Sequence, residues 1–196
     1  MVKLIGLTGG IAAGKSAVAS LLRERGIPVL DADALSREIM QPGQPSHADV
    51  AREWPMVIGG DGAIDRKALG RIVFADPAAR ARLEAISHPR IRSRVAEEAH
   101  RLEQQGHALV FLEAALLVET GYYRHLDGLV VVTAPNAIQR ARLLAREGCT
   151  SDEADSRIAA QLPSAAKIAV ANHLIDNGGD LAATARQVDA IVRQLA

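Results

Sequence analysis

Near its beginning the chain carries Gly9-Gly10-Ile11-Ala12-Ala13-Gly14-Lys15-Ser16, which matches G-x-x-x-x-G-K-[ST] at every specified position. The apolar stretch 4–7 precedes this run and predicts a buried strand. The stretch 17–22 follows it and predicts an amphipathic helix. Strand, loop and helix in this order form a phosphate-binding P-loop, and an ordinary glycine turn before a helix explains less of the pattern.

The chemistry of such a loop follows from its backbone. Glycines let the chain bend so that N–H groups point at phosphate oxygens, and the helix N-terminus adds partial positive charge. Lys15 is expected to reach the β- and γ-phosphates of a nucleotide such as ATP, and Ser16 to bind Mg²⁺. The residues predicted to hold the phosphates are Gly9, Gly10, Ile11, Ala12, Ala13, Gly14, Lys15, Ser16 and Ala17.

The composition is that of an ordinary globular protein, most simply one unit in 196 residues. Aromatic residues make up only 3%, so the core must consist mainly of Ala, Val, Leu and Ile. Because 23 basic residues balance 23 acidic ones, we expect no nucleic-acid or membrane partner. Cys149 is the only cysteine, which excludes an internal disulfide. We expect a cytoplasmic protein, with no secretory signal and no obligate protein partner.

Five short apolar runs predict strands, at residues 4–7, 28–30, 109–112, 129–132 and 173–175. Helical patterns lie between them, so we expect an α/β protein with the P-loop NTPase fold, a five-stranded parallel sheet with helices on both faces. The long interval 31–108 exceeds one crossover helix and is interrupted by two Gly-rich turns. Apolar residues repeat at helical spacing in the last 15 residues or so, with Asp180 as the expected N-cap.

Acidic residues follow two of the predicted strands. Asp31-Ala32-Asp33 comes after the second strand, at the edge where open α/β sheets bind ligands. Phosphoryl transfer to a hydroxyl needs a carboxylate that accepts or orients the attacking proton, and Mg²⁺ to neutralise the phosphates. In the alternative interpretation, Asp33 only caps the next helix and Asp31 is a solvated strand end. Glu113 ends another strand and is a candidate for the Mg²⁺ shell, although many buried strands end in an acid.

Two further features have both a functional and an ordinary interpretation. Gln139, Arg142 and Arg146 fall on one face of a predicted helix. They can form a helical lid that closes over a transferring phosphoryl group, or simply a solvated basic face. His88 is followed by Pro89, which in the ordinary interpretation begins the next helix at its first position.

Taken in order, these segments resemble the dephospho-CoA kinase family, whose members phosphorylate the 3′-hydroxyl of the ribose in dephospho-CoA. The resemblance covers nearly the whole chain and is more specific than the P-loop, which alone indicates only a superfamily. Further matching residues are Arg37, Gly62-Ala63-Ile64-Asp65-Arg66, Leu69, Phe74, Leu116-Leu117-Val118-Glu119, Gln161 and Ile175-Asp176-Asn177.

The resemblance implies an ATP- and Mg²⁺-dependent kinase that takes dephospho-CoA as its small-molecule substrate. It implies a core of about 1–32, 107–134 and 171–196, an acceptor-side insertion of about 33–106 and a helical lid of about 135–170. The resemblance implies Asp33 as the catalytic base or hydroxyl-orienting group, and Lys15, Arg142 and Arg146 as the cations that contact the transferring phosphoryl group. It places Asn177 near the adenine, and Arg37 and His88 in the acceptor pocket. It assigns Ser16 and Glu113 to Mg²⁺.

The chain departs from the family's usual residues at three places. Ala12-Ala13 replaces Gly-Ser inside the loop, which removes a hydroxyl and stiffens the backbone. Glu113-Ala114-Ala115 stands where Asp-x-Pro is common, so the acid is one methylene longer. Asn172 replaces a frequent Asp before the last strand. None of these changes touches the lysine, serine, aspartate or arginines assigned above, so we expect a working enzyme.

Two other functions remain open on the sequence. One is another small-molecule P-loop kinase, of nucleoside, nucleotide or shikimate type. The other is a nucleotide-dependent switch or ATPase module, although the chain has no Asn-Lys-x-Asp guanine motif.

Overall fold

The computed structural model describes residues 1–195. The strands are β1 (Lys3–Gly9), β2 (Val29–Asp31), β3 (Leu109–Glu113), β4 (Gly128–Thr133) and β5 (His173–Asp176). The helices are α1 (Lys15–Glu24), α2 (Ala32–Glu38), α3 (Pro45–Glu53), α4 (Arg66–Ala75), α5 (Pro77–Gln104), α6 (Asn136–Glu147), α7 (Ser151–Ala159), α8 (Ser164–Ile168) and α9 (Leu181–Leu195). Within residues 1–195, none of the helices has the length and apolar character needed to cross a membrane.

The five strands form one sheet in the order β2-β3-β1-β4-β5, with β1 at its centre. The pairs β1–β3, β1–β4 and β4–β5 are parallel. Next to β2, the carbonyl oxygen of Pro28 accepts a hydrogen bond from the amide of Phe111 in β3 at 2.9 Å. Each predicted strand is confirmed to within two residues, and so is the α/β class with a parallel sheet.

The central strands are covered on both faces, because consecutive residues are buried rather than alternate ones. The buried runs are residues 5–9 of β1, 109–112 of β3 and 129–132 of β4. On one face, buried side chains of these strands join those of α1 and α9 in a single apolar cluster. The P-loop, which follows the carboxyl end of the central strand β1, is therefore supported by a well-packed core.

Helix α9 has the amphipathic pattern that the sequence predicts. Val188 and Ile191 are buried in the core cluster. The carboxylate of Asp180 accepts a hydrogen bond from the amide of Ala183 at 2.6 Å, which confirms the N-cap. Asp189 forms an ion pair with Arg25, just beyond α1. The hydrogen bond from that arginine holds the pKa of the Asp189 carboxyl below its ordinary value.

The chain divides into two compact units, one made of Met1–Leu30 with the chain from Ala99 onward, and the other of Asp31–Glu98. The second unit is helical and has its own apolar cluster. An isolated antiparallel bridge joins Ile58 to Ile64 around one of the predicted Gly-rich turns. The acceptor-side role of residues 33–106 and the lid role of residues 135–170 remain predictions. The buried members of the second cluster are Val50, Trp54, Val57, Leu69 and Ala79.

The interpretation that Pro89 begins a helix is wrong, because α5 runs through this residue without a break. A proline inside a helix removes one backbone hydrogen bond. In the same turn the guanidinium of Arg90 donates to the carbonyl oxygen of Ile86 at 3.1 Å and also hydrogen-bonds Asp49. The Arg90 side chain therefore adds contacts in the same turn in which the backbone hydrogen bond is missing.

Candidate active site

The P-loop connects β1 to α1 as the sequence predicts. Gly9 ends β1, Gly14 precedes α1 with a φ of 97°, and Lys15 begins the helix. At two positions a side chain has no room. A Cβ at Gly9 would lie 2.3 Å from the carbonyl oxygen of Val132, and one at Gly14 would lie 1.8 Å from Nδ2 of Asn177. The left-handed φ of Gly14 adds a second reason for glycine there.

The ammonium group of Lys15 lies over the loop backbone. Its Nζ donates to the carbonyl oxygens of Gly9 at 3.1 Å and Gly10 at 3.5 Å. Ser16 follows in the first turn of α1, with an exposed side chain. The structure thus brings the lysine onto the stretch of backbone that the motif predicts to hold phosphates.

Arg142 and Asn177 support the loop from outside. Nη1 of Arg142 donates to the carbonyl oxygens of Ala12 at 3.3 Å and Ala13 at 3.2 Å, and Nη2 donates to the carbonyl oxygen of Asn177 at 2.8 Å. The buried side chain of Asn177 donates to the same Ala13 oxygen at 2.8 Å and accepts from Thr184 Oγ1 at 2.9 Å. Both residues, one from the predicted lid and one predicted near the adenine, thus contact the loop backbone directly.

Two glutamine side chains lie against the beginning of the loop. Oε1 of Gln161 accepts a hydrogen bond from the amide of Ile11 at 2.6 Å. Gln139 is buried, and its Nε2 donates to the carbonyl oxygen of Ala134 at 2.7 Å. Both glutamines and Gly10 line a cavity of about 280 Å³. Sequence reasoning missed the bond between Gln161 and Ile11, because 150 residues separate the two.

Arg146 does not contact the loop. Its side chain is 60% exposed and forms an ion pair with the neighbouring Glu147, which also pairs with Arg157. The hydrogen bond from Arg146 is the main cause that keeps the pKa of the Glu147 carboxyl below its ordinary value. The helical spacing therefore turns Gln139 and Arg142 toward the P-loop. It leaves Arg146 exposed near the end of α6.

Glu113 is the last residue of β3, and its backbone pairs in register with Leu7 of β1. Within residues 1–195, no three His, Cys, Asp or Glu side chains converge as a metal site. A hydroxyl and a carboxylate are oxygen donors of the kind that Mg²⁺ prefers, together with phosphate oxygens and water. Ser16 and Glu113 therefore fit an ion shared with a nucleotide better than one held by protein alone.

The predicted acceptor-side residues belong to the second unit. Asp31 caps α2, because its Oδ1 accepts from the amides of Asp33 at 2.8 Å and Ala34 at 3.0 Å. The alternative in which Asp33 caps α2 is therefore wrong, because Asp31, the partly exposed last residue of β2, is the cap. Asp33 is exposed, and Arg37 lies 4.0 Å from the carboxylate of Asp31. His88 is half-buried in the middle of α5.

Comparison with known proteins assigns the family. The family model for dephospho-CoA kinase matches residues 3–183. The chain belongs to the dephospho-CoA kinase family. A dephospho-CoA kinase of Anaeromyxobacter dehalogenans is 52% identical over 98% of this chain and 92% of its own length. One of Symbiobacterium thermophilum is 45% identical over 97% of this chain and 80% of its own length.

Solved structures agree with this membership of the dephospho-CoA kinase family. The crystal structure of TT1252 from Thermus thermophilus has a TM-score of 0.87 and 39% identity, and it covers 100% of this chain and 98% of its own. A dephospho-CoA kinase from Campylobacter jejuni has a TM-score of 0.74 and 25% identity over the same shares. A shikimate kinase from Bacteroides thetaiotaomicron, at 17% identity and a TM-score of 0.56, shares the fold alone.

One departure from the dephospho-CoA kinase pattern has a direct counterpart in the backbone. Ala12 adopts a φ of 55°, in the left-handed region that favours glycine. The loss of backbone freedom expected from Ala12-Ala13 therefore falls on Ala12, whose left-handed φ is unfavourable for an alanine. The side chain of Ala13 is buried in the core cluster.

Replacing Ala12 by glycine is expected to raise the free energy of unfolding by about 0.5–1 kcal/mol. The left-handed conformation costs an L-residue about 1–2 kcal/mol, and the greater chain entropy of glycine offsets about 0.5–1 kcal/mol of that gain. Thermal unfolding should then show a rise in Tm of a few degrees, on the order of 2–4 °C per kcal/mol. Ala13→Gly is the matched control, because Ala13 has no positive φ, and it should lower Tm. A lower Tm for Ala12→Gly would contradict the described loop geometry.

A second departure from the dephospho-CoA kinase pattern is explained by a backbone contact. Oδ1 of Asn172 accepts from the amide of Leu129 at 2.8 Å, and the amide of Asn172 donates to the carbonyl oxygen of Leu129 at 2.9 Å. The residue thus continues the pairing between β4 and the chain that leads into β5. A carboxylate can accept the same bond, so the change to an amide preserves the contact.

Proposed function

We propose that this chain transfers the γ-phosphoryl group of ATP to the 3′-hydroxyl of dephospho-CoA, which yields CoA and ADP. The observation that carries the proposal is the complete P-loop, with Lys15 over its backbone and Arg142 against its outer side, in a chain that the dephospho-CoA kinase model matches almost throughout. The lone cysteine supports a reducing compartment, so we place the reaction in the cytoplasm.

The P-loop would hold the phosphates of ATP through its backbone, from Gly9 to Ala17. Asn177 would lie near the adenine, and in the structure its carboxamide donates to the carbonyl oxygen of Ala13. Ser16 and Glu113 would hold Mg²⁺, directly or through water. When bound, Mg²⁺ neutralises charge on the β- and γ-phosphates. Lys15 would exchange its contacts with loop carbonyls for phosphate oxygens, since both are acceptors for the same three ammonium protons.

Asp33 would accept or orient the proton of the attacking hydroxyl. The new bond joins the ribose 3′-oxygen to the γ-phosphorus, the bond from that phosphorus to the bridging oxygen of ADP breaks, and the hydroxyl proton passes to Asp33. The exposed carboxylate and its position after β2 support this role. Arg37 and His88 would line the acceptor pocket in the 33–106 insertion.

Arg142 and Arg146 would stabilise the charge that spreads over the phosphoryl oxygens in the transition state. The two arginines start from different positions, since Arg142 already contacts the loop and Arg146 is paired with Glu147. Closure of the 135–170 lid would bring Arg146 to the phosphates and exclude water that would otherwise hydrolyse ATP.

A coupled assay of ADP release tests this proposal. Purified protein with Mg·ATP is offered dephospho-CoA, AMP, adenosine or shikimate, each at the same concentration. We expect rapid ADP release with dephospho-CoA and background release with the other three acceptors. Selective turnover of another acceptor would retain a P-loop kinase and discard this substrate, and ADP release independent of any acceptor would indicate an ATPase module.

A further inference from the structure

Lys167 is a buried charged residue to which the proposed reaction gives no role. The side chain is 2% exposed, and its Nζ lies 2.5 Å from Oε1 of Glu119 and 3.3 Å from the carbonyl oxygen of Ala115. Burying an ammonium group is unfavourable unless its donors are matched, and an apolar residue would pack against the sheet at lower cost. Only four of the 23 basic residues of this chain are lysines, and one of them is placed here.

The contacts of Lys167 converge on the segment that follows β3. The carbonyl oxygen of Ala115 accepts a second hydrogen bond, from Oγ1 of Thr8 at 3.1 Å. Thr8 is fully buried and directly precedes the P-loop. One residue earlier, the amide of Ala114 donates to the carbonyl oxygen of Leu7 at 3.1 Å. The backbone after β3 is therefore tied to the end of β1 and, through Lys167, to α8.

These contacts begin immediately after Glu113. The strand pairing of β3 with β1 fixes the backbone on the N-terminal side of this acid. The bonds to Ala114 and Ala115 fix it on the C-terminal side. A carboxylate that contributes to a metal shell needs this kind of support, because partners of the ligating group set its orientation and hence the affinity for the ion.

We propose that Lys167 and Glu119 are a positioning pair that sets Glu113 for the Mg²⁺-bound nucleotide. Lys167 and Thr8 both donate to the carbonyl oxygen of Ala115. Glu119 neutralises the lysine and fixes its direction. This inference rests on the proposed function only in taking Mg²⁺-nucleotide as the ligand of the P-loop unit.

The test is the Mg²⁺ dependence of ADP affinity, measured by calorimetry with and without Mg²⁺, so that it needs no turnover. The main variant is the double change Lys167→Met with Glu119→Gln, which leaves no unpaired buried charge. A second variant, Thr8→Val, removes the other donor to Ala115 with little change in shape. Lys67→Met, at an exposed lysine of the second unit, is the matched control.

We expect both cluster variants to keep the parent affinity for ADP without Mg²⁺. We expect the gain in affinity on adding Mg²⁺ to fall at least tenfold in the double variant and severalfold in Thr8→Val, and to be unchanged in Lys67→Met. An unchanged gain in a folded double variant would make the pair purely structural and overturn the proposal. If the parent protein binds Mg·ADP in this way but phosphorylates no dephospho-CoA, the proposed function fails while the positioning pair stands.

Discussion

Asp33→Asn is expected to lower kcat by about 10²–10³-fold, the range found when a single transition-state contact is removed. The amide has the same size as the carboxylate but cannot take the proton of the attacking hydroxyl. Asp33 is exposed and does not cap α2, so this change should leave the fold and ATP binding near those of the parent. Steady-state kinetics with saturating Mg·ATP give kcat, and calorimetry gives the affinity for ATP.

Asp31→Asn is the variant to set beside Asp33→Asn. The described role of Asp31 is to cap α2, and asparagine caps a helix about as well as aspartate. We therefore expect a much smaller loss of turnover at position 31. A large loss at position 31 with near-normal kcat at position 33 would transfer the base role to Asp31 and contradict the assignment.

Arg142→Ala is expected to lower kcat/KM for ATP by about 10²-fold or more, through two effects that act together. The change removes a cation proposed to stabilise transition-state charge, and such contacts are worth about 10²–10³ in rate. It also leaves the carbonyl oxygens of Ala12, Ala13 and Asn177 without their guanidinium donor. Hydrogen bonds to charged groups contribute about 1.5–3 kcal/mol to stability, so Tm should fall as well.

Arg140→Ala is the matched control for Arg142→Ala, because Arg140 lies on the same helix and forms an ion pair with Asp155 at 3.4 Å. It should leave kcat/KM within about twofold of the parent, since exposed ion pairs contribute about 0–1 kcal/mol. Arg142→Lys separates the two effects. A lysine keeps the charge, but it has one nitrogen in place of the two that donate to the loop and to Asn177. Equal losses at positions 140 and 142 would contradict the role given to Arg142.

The sheet and the P-loop could be predicted from the sequence because their signals are local. A buried parallel strand is a short continuous apolar run, so residues such as 109–112 and 129–132 are recognisable without any partner. Gly9 and Gly14 are equally recognisable, although the reason that each must be glycine lies in Val132 and Asn177, on distant segments.

The supporting contacts of the site could not be predicted, because they join residues far apart in the chain. Nothing near Gln161 indicates a bond to Ile11, and nothing near Lys167 indicates Glu119. The cap of α2 was not evident from the sequence for a different reason, and the alternative that gave this role to Asp33 was wrong. Two aspartates at i and i+2 before a helix both fit the capping pattern, and only the backbone geometry assigns it to Asp31.

The position of the phosphoryl group in the product tests the central claim most directly. Purified protein is incubated with equimolar Mg·ATP and dephospho-CoA, and the mixture is followed by phosphorus NMR, with a Lys15→Met variant as the inactive reference. The account predicts a new phosphomonoester on the ribose 3′-oxygen that appears in step with ADP. Inorganic phosphate as the only new species, or a phosphoryl group at another position of the acceptor, would contradict it.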